Sequence, residues 1–206
     1  RGTGSSIEPT SIVDSKGIVM TRNGRHLDIG AGEEDDSRPV EPFEVFGVSA
    51  AAAVYRRSFL DDAAIGGQPF DESFFAYRED ADLAWRGRLF GWRALSVPLA
   101  VGYHVRTVTP EKRKSLHPSI NMHSVKNRFL LRLKNQGRYL TLRNLPRQAF
   151  RDVVVLVAAL TVERSSLPAF RWLWQHRGEI MKSRREIQRR RRVSDRQLAP
   201  WFRHGG

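Results

Sequence analysis

The stretch Phe70-Asp71-Glu72-Ser73-Phe74-Phe75-Ala76-Tyr77-Arg78-Glu79-Asp80-Ala81-Asp82-Leu83-Ala84-Trp85-Arg86 decides how this chain is read. Ala81, Trp85 and Leu89 recur at four-residue steps, which predicts a helix over 79–90 with one buried face. Asp82 and Arg86 are i, i+4 partners on that helix. Gly91 stands at the C′ position, where a left-handed residue closes a helix. Glu79, Asp80 and Asp82 fall in the first turn, directly after the aromatic cluster Phe74-Phe75-Ala76-Tyr77.

Those acids have two readings. First-turn carboxylates complement the helix dipole, an ordinary structural role. Alternatively, one of them is a general base, mounted rigidly where a helix N-terminus opens into a cleft. The dipole is expected to keep such a carboxylate ionised. His104 follows Asp80 by 24 positions, just past a predicted strand. A lone His is commonly structural. As a metal ligand it needs carboxylate partners, because the chain has no cysteine.

Outward from this stretch the pattern is mixed. Ile12-Val13 and Gly17–Met20 read as short strands, and Asn23-Gly24 as a turn. Residues 31–41 form an acidic, Pro-containing loop, expected to be mobile. Val45–Tyr55 reads as a buried strand, with Gly47 where another group approaches closely. A short helix opens at Arg56–Leu60 and ends at Gly66-Gly67. Ala94–Pro98 and Ala100–His104 read as strand, turn and strand. From about Ser119, Val125, Phe129, Leu130 and Leu133 keep a helical step, and Asn144-Leu145-Pro146 is expected to break it. The apolar run Val153–Leu160 is shorter than the roughly 20 residues a bilayer span requires, so a buried or interfacial helix is expected.

With 206 residues, 40% of them hydrophobic, the chain can bury a real core in one medium domain, or in a smaller one with an appendage. Zero cysteines exclude disulfides and thiolate metal sites. The opening Arg1-Gly2-Thr3-Gly4-Ser5-Ser6 lacks the apolar region of a signal peptide, and a fragment or an upstream start is expected. The net charge of +13 is uneven. Residues 1–104 hold 11 Lys and Arg against 16 Asp and Glu, a net of −5; residues 105–206 hold 24 against 6, a net of +18. Such asymmetry points the second half at an anionic partner, or else at solvent. Trp172, Leu173 and Trp174 beside Arg184-Arg185 and Arg189–Arg192 suit an interfacial segment on anionic lipid. Nucleic acid is the weaker expectation, since no zinc spacing, RNP-like motif or helix-turn-helix pattern is present.

Taken together, Gly47–Arg57, Phe70–Arg86, Gly91-Trp92-Arg93, Pro98 and His104 resemble family 2 glycosyltransferases, in their bacterial rhamnosyltransferase and galactofuranosyltransferase-like branch. The resemblance covers residues 8–145. It implies an α/β fold: the C-terminal part of a GT-A domain over 1–145, carrying the acceptor side, then a basic amphipathic helical region over 146–206. It implies an inverting enzyme that transfers a sugar, rhamnose first, from a nucleotide-sugar donor to a glycan or lipid-linked acceptor in cell-surface polysaccharide synthesis. Asp80 matches the catalytic base and Glu79 flanks it. Gly47, Tyr77, Asp82 and Arg86 match the acceptor side. His104 matches a ligand of a divalent metal, Mg or Mn. The family's nucleotide-binding half, with the Asp-x-Asp motif that follows one of its strands, is not found, so the chain alone is expected to hold an incomplete donor site. The implied location is cytoplasmic, peripheral at the inner face of the cell membrane. The alternative is a non-catalytic accessory protein whose basic half binds anionic lipid or nucleic acid.

Overall fold

A computed structural model describes residues 9–36, 40–103 and 118–203. The chain is mixed α/β, 55% helical, with small sheets. The turn expected at Asn23-Gly24 joins β1 (Ile18–Thr21) to a strand the sequence does not announce, β2 (His26–Asp28), in a hairpin, while Ile12-Val13, expected as a strand, forms only an isolated bridge. Gly24 has φ 80°, and the Thr21 hydroxyl donates to the Asn23 side chain at 2.6 Å inside the turn. The acidic loop after it is not free in its described part. Lys16 pairs with Asp35 at 3.1 Å and Asp36 at 3.3 Å, and Ile12 bridges to Glu34.

The strand expected over Val45–Tyr55 is much shorter. β3 (Phe43–Val45) pairs antiparallel with β4 (Ala94–Ser96), and the chain then leaves the sheet. Ala50–Ala52 form one exposed 3₁₀ turn. Alanines bring little side chain to a pleated surface, so nothing holds this run extended. Gly47 does mark a close approach: a Cβ there would collide with the Cβ of Ala84, in the helix over Glu79–Leu89. A short helix, α1 (Arg57–Ala63), follows as expected. The strand expected from Ala100 is absent over the described residues 100–103.

The helix α2 (Glu79–Leu89) matches its sequence reading closely. Ala81, Trp85 and Leu89 are all fully buried. Trp85 packs on Phe46 and Phe202, with ring centroids 6.2 and 5.1 Å away. Gly91, at φ 87°, closes the helix; its N–H bonds the Arg88 carbonyl at 3.2 Å, and Trp92 N–H bonds that of Gly87 at 2.9 Å.

Next come α3 (Pro118–Asn135) and α4 (Arg138–Thr161). The break falls at Gln136-Gly137 rather than at Pro146. The Asp195 carboxylate caps the start of α4, accepting from Leu140 N–H at 3.2 Å, and fills the space a Cβ at residue 137 would need. Pro146 is tolerated inside α4. It lies on an exposed face, where water can satisfy the freed Leu142 carbonyl, and Arg22 reaches the next one, on Arg143, at 3.4 Å. The boundary expected at 145/146 thus lies within a continuous helix.

The C-terminal part is α5 (Pro168–Gln175), α6 (Arg177–Arg190), α7 (Asp195–Leu198) and β5 (Phe202–Arg203). β5 pairs parallel with β1, and Ile180, Ile187, Leu198 and Phe202 enter the same core as Ile18, Phe46 and Trp85. Most of the arginine run is structural. Arg190 donates to the Ala64 carbonyl at 2.7 Å, Arg191 pairs with Asp195 at 2.9 Å, and Arg192 pairs with Asp62 at 2.9 Å. The apolar run of α4 is largely uncovered instead. Phe150, Val153, Val157 and Leu160 are each more than half exposed.

Candidate functional site

The residues just before α2 take an unusual path. Phe75, Tyr77 and Arg78 have φ of 64°, 67° and 72°, in the left-handed region that costs a non-glycine residue roughly 1–3 kcal/mol. Side chains on α3 hold this path, Asn127 foremost. The Asn127 amide donates to the carbonyls of Phe74, Ala76 and Tyr77 at 2.9, 2.7 and 2.8 Å. Lys126 adds a bond to the Ser73 carbonyl at 2.6 Å, and Lys134 pairs with Asp71. The result turns Tyr77, Glu79 and Asp80 toward one cavity of about 290 Å³, completed by His26, Arg78 and Ser124. Tyr77 stays exposed where it lines the cavity, and Phe75, also exposed, stacks on His123 with centroids 4.7 Å apart.

Asp80 accepts from its neighbour Ala81 N–H at 2.7 Å and from Ala50 N–H at 3.4 Å. Neither Asp80 nor Glu79 has an ion-pair partner among the described residues, and one Glu79 oxygen is buried without a hydrogen bond. Burial pushes the Asp80 carboxyl up; the Ala81 and Ala50 N–H groups only partly oppose it, and the charge of Asp28 adds to it. Burial raises Glu79 as well, with a smaller push from Asp80. Burial therefore outweighs the backbone N–H groups at the start of this helix as the main influence on both carboxyls. Tyr55, near both acids, is pushed up to about 12, first by burial and then by their charges. Burial, then Arg78 and Arg25, push His26 down to about 3, so it is neutral across the ordinary range.

The other expected acceptor residues lie elsewhere. Asp82 and Arg86 are fully buried and bonded to each other at 2.8 Å. Asp82 also accepts from Asn135 at 2.6 Å, while Arg86 reaches the carbonyls of Ala63 and Pro69. Every charge there is spent within the fold, which makes the pair a packing element rather than a contact for substrate. Gly47 likewise serves the approach of α2. His104 lies outside the described residues. Among those described, no group of three His, Asp or Glu side chains is placed to hold a metal ion.

His26, Arg78, Ser124 and Asn127 carry no signal in isolation. A second cavity of about 430 Å³ adjoins the first through His26, Arg78 and Ser124 and continues to α4. Among the described residues no single helix is long and apolar enough to cross a membrane; α4 and residues 164–175 reach that composition only as a pair bent by 113°. Comparison with family models, curated proteins and solved structures finds no match to this chain.

Proposed function

We propose that the chain carries the acceptor side of an inverting, GT-A-type sugar transferase, with Asp80 as the general base. One observation carries this reading. A half-buried carboxylate, raised from its ordinary value and without an ion-pair partner among the described residues, opens on a cavity that the exposed Tyr77 ring lines. A raised carboxyl is a better proton acceptor at neutral pH than an ordinary one. In the proposed step the acceptor hydroxyl oxygen attacks the anomeric carbon of a nucleotide-sugar. Its proton passes to Asp80 as the new C–O bond forms. The bond to the nucleoside diphosphate breaks on the opposite face, and configuration inverts. Asp80 then returns its proton to solvent. Glu79 stands beside the base, and the charge of Asp28 adds to the push that raises it. Tyr77 and Phe75 offer flat apolar faces to a sugar ring.

A divalent metal bound with His104 would neutralise the departing diphosphate. The described residues do not themselves assemble such a site, and no step above depends on it. Rhamnose is the first donor to try and galactofuranose the second. The uncovered apolar face of α4, with Arg138, Arg143 and Arg147 on the same helix, supports a peripheral place on an anionic membrane surface at the cytoplasmic side. That face is also what favours the second reading, a lipid-binding accessory protein without catalysis.

Sugar transfer by the protein as encoded, with Asp80→Asn beside the parent, separates the two. The enzyme reading expects a loss of about 10²–10⁴ in rate, the usual worth of a general base. Undiminished transfer removes Asp80 from that role. No transfer with either donor favours the accessory reading.

A further inference from the structure

The second cavity is strongly cationic. Arg25, Arg78, Arg128 and Arg151 line it, against one lining carboxylate, Glu163. Arg128 is only 5% exposed. Its Nη2 donates to the Asn23 carbonyl at 3.3 Å, but its Nε makes no hydrogen bond and stands 3.7 Å from the Asp152 carboxylate. Arg132 already holds that carboxylate with bonds of 2.7 and 2.8 Å. The Arg151 Nε is also buried without a hydrogen bond. Burial, and after it the charges of Arg151 and Arg132, push the Arg128 guanidinium down to about 10. Guanidiniums crowded out of water in this way are costly unless an anion joins them. Their planar forks match the oxygens of a phosphoryl group.

Beyond Arg151 the α4 wall of this cavity is apolar. Val154, Val155 and Ala158 line it, following Arg151 on α4 at the spacing of a single helix face. Val154 is also 40% exposed, so this wall runs out into the open apolar surface of Val153 and Val157. An anion held by the arginines therefore has a hydrocarbon path leading away from it. We propose that this cavity binds the phosphate or diphosphate monoester head of an amphiphile, whose chain lies along the uncovered face of α4. A free phosphate would use the arginines and leave the valine wall idle, and a nucleic acid would do the same. The proposal stands whether or not Asp80 is a base.

The test uses the 206-residue chain and three probes. Phosphatidylcholine vesicles containing phosphatidic acid, a phosphomonoester, are compared with vesicles containing phosphatidylglycerol, a phosphodiester, at matched surface charge and physiological salt. Inorganic pyrophosphate is the soluble probe. Cosedimentation should favour phosphatidic acid by about tenfold, the scale of one charge-assisted hydrogen bond. Arg151→Gln should erase the preference; both vesicle types lose some generic attraction, so the ratio is the readout. A melting curve checks that the variant folds. Independently of any variant, excess pyrophosphate should erase the same preference in the parent. Equal binding to both vesicles overturns the proposal, as does a preference that survives pyrophosphate. Pyrophosphate binding lost in Arg151→Gln, with no vesicle preference, overturns the amphiphile and leaves a plain anion site.

Discussion

Asp80 and Asp82 are two residues apart on one helix, yet their surroundings are opposites. Asp82 is fully buried and fully answered, by Arg86 at 2.8 Å and Asn135 at 2.6 Å. Asp80 is turned the other way, into a cavity, with two backbone N–H groups and, among the described residues, no ion-pair partner. Two steps on a helix rotate a side chain by about 200°. That rotation separates a carboxylate committed to holding the fold from one left with unspent capacity. A general base needs a lone pair within reach of the proton it takes, and a carboxylate whose oxygens are held by buried partners does not offer one.

The largest effect should come from the committed side. Asp82→Asn leaves the Arg86 guanidinium buried and uncompensated, and unfolding by urea should show a loss of about 3–5 kcal/mol. A loss near zero would mean Arg86 finds other acceptors, and the contrast would collapse. The joint between the two regions comes next. Asn127→Ala strands three carbonyls and releases the left-handed path from Phe75 to Arg78, for an expected loss of about 2–3 kcal/mol. Amide exchange at residues 74–78 should rise more than exchange in α2. Uniform change along the chain would argue against a local clamp.

The smallest effect has the opposite sign. Burial holds the Asp80 carboxyl above its ordinary value in the folded state. Its ionised form therefore costs stability at neutral pH. That cost fades as pH falls through the raised value and is gone below the unfolded value of about 4. Asp80→Asn should thus stabilise the protein at pH 7 by roughly 0.5–2 kcal/mol, and the gain over the parent should vanish near pH 3. Destabilisation at pH 7 would show that Asp80, like Asp82, belongs to the fold.

The sequence makes α2 legible because everything that defines it is local. The four-step spacing of Ala81, Trp85 and Leu89, the first-turn acids and the glycine stop all lie within 13 residues, from Glu79 to Gly91. The β1–β2 turn and α1 are readable for the same reason. Elements that depend on distant chain are not. Pro146 looks like a break until an exposed face and Arg22 are seen to accommodate it. Arg190 and Arg192 look like a solvated tail until the carbonyl of Ala64 and the carboxylate of Asp62 are found beside them. Periodicity likewise cannot say which of several first-turn acids faces a cavity, because that depends on how the preceding loop enters the helix.

By itself, then, the sequence determined that residues 79–90 form a capped helix with acids at its start, and that the second half of the chain carries the positive charge. Local spacing and composition are enough for that. Only the tertiary structure decided which carboxylate is spent and which is available. It did so through Asn127, which holds three loop carbonyls from another helix, and through Asn135 and Arg86, which claim Asp82. It also moved the interest of the basic half away from its arginine run and onto α4. Most of those arginines find partners once the chain closes on itself, whereas the apolar face of α4 stays exposed among the described residues.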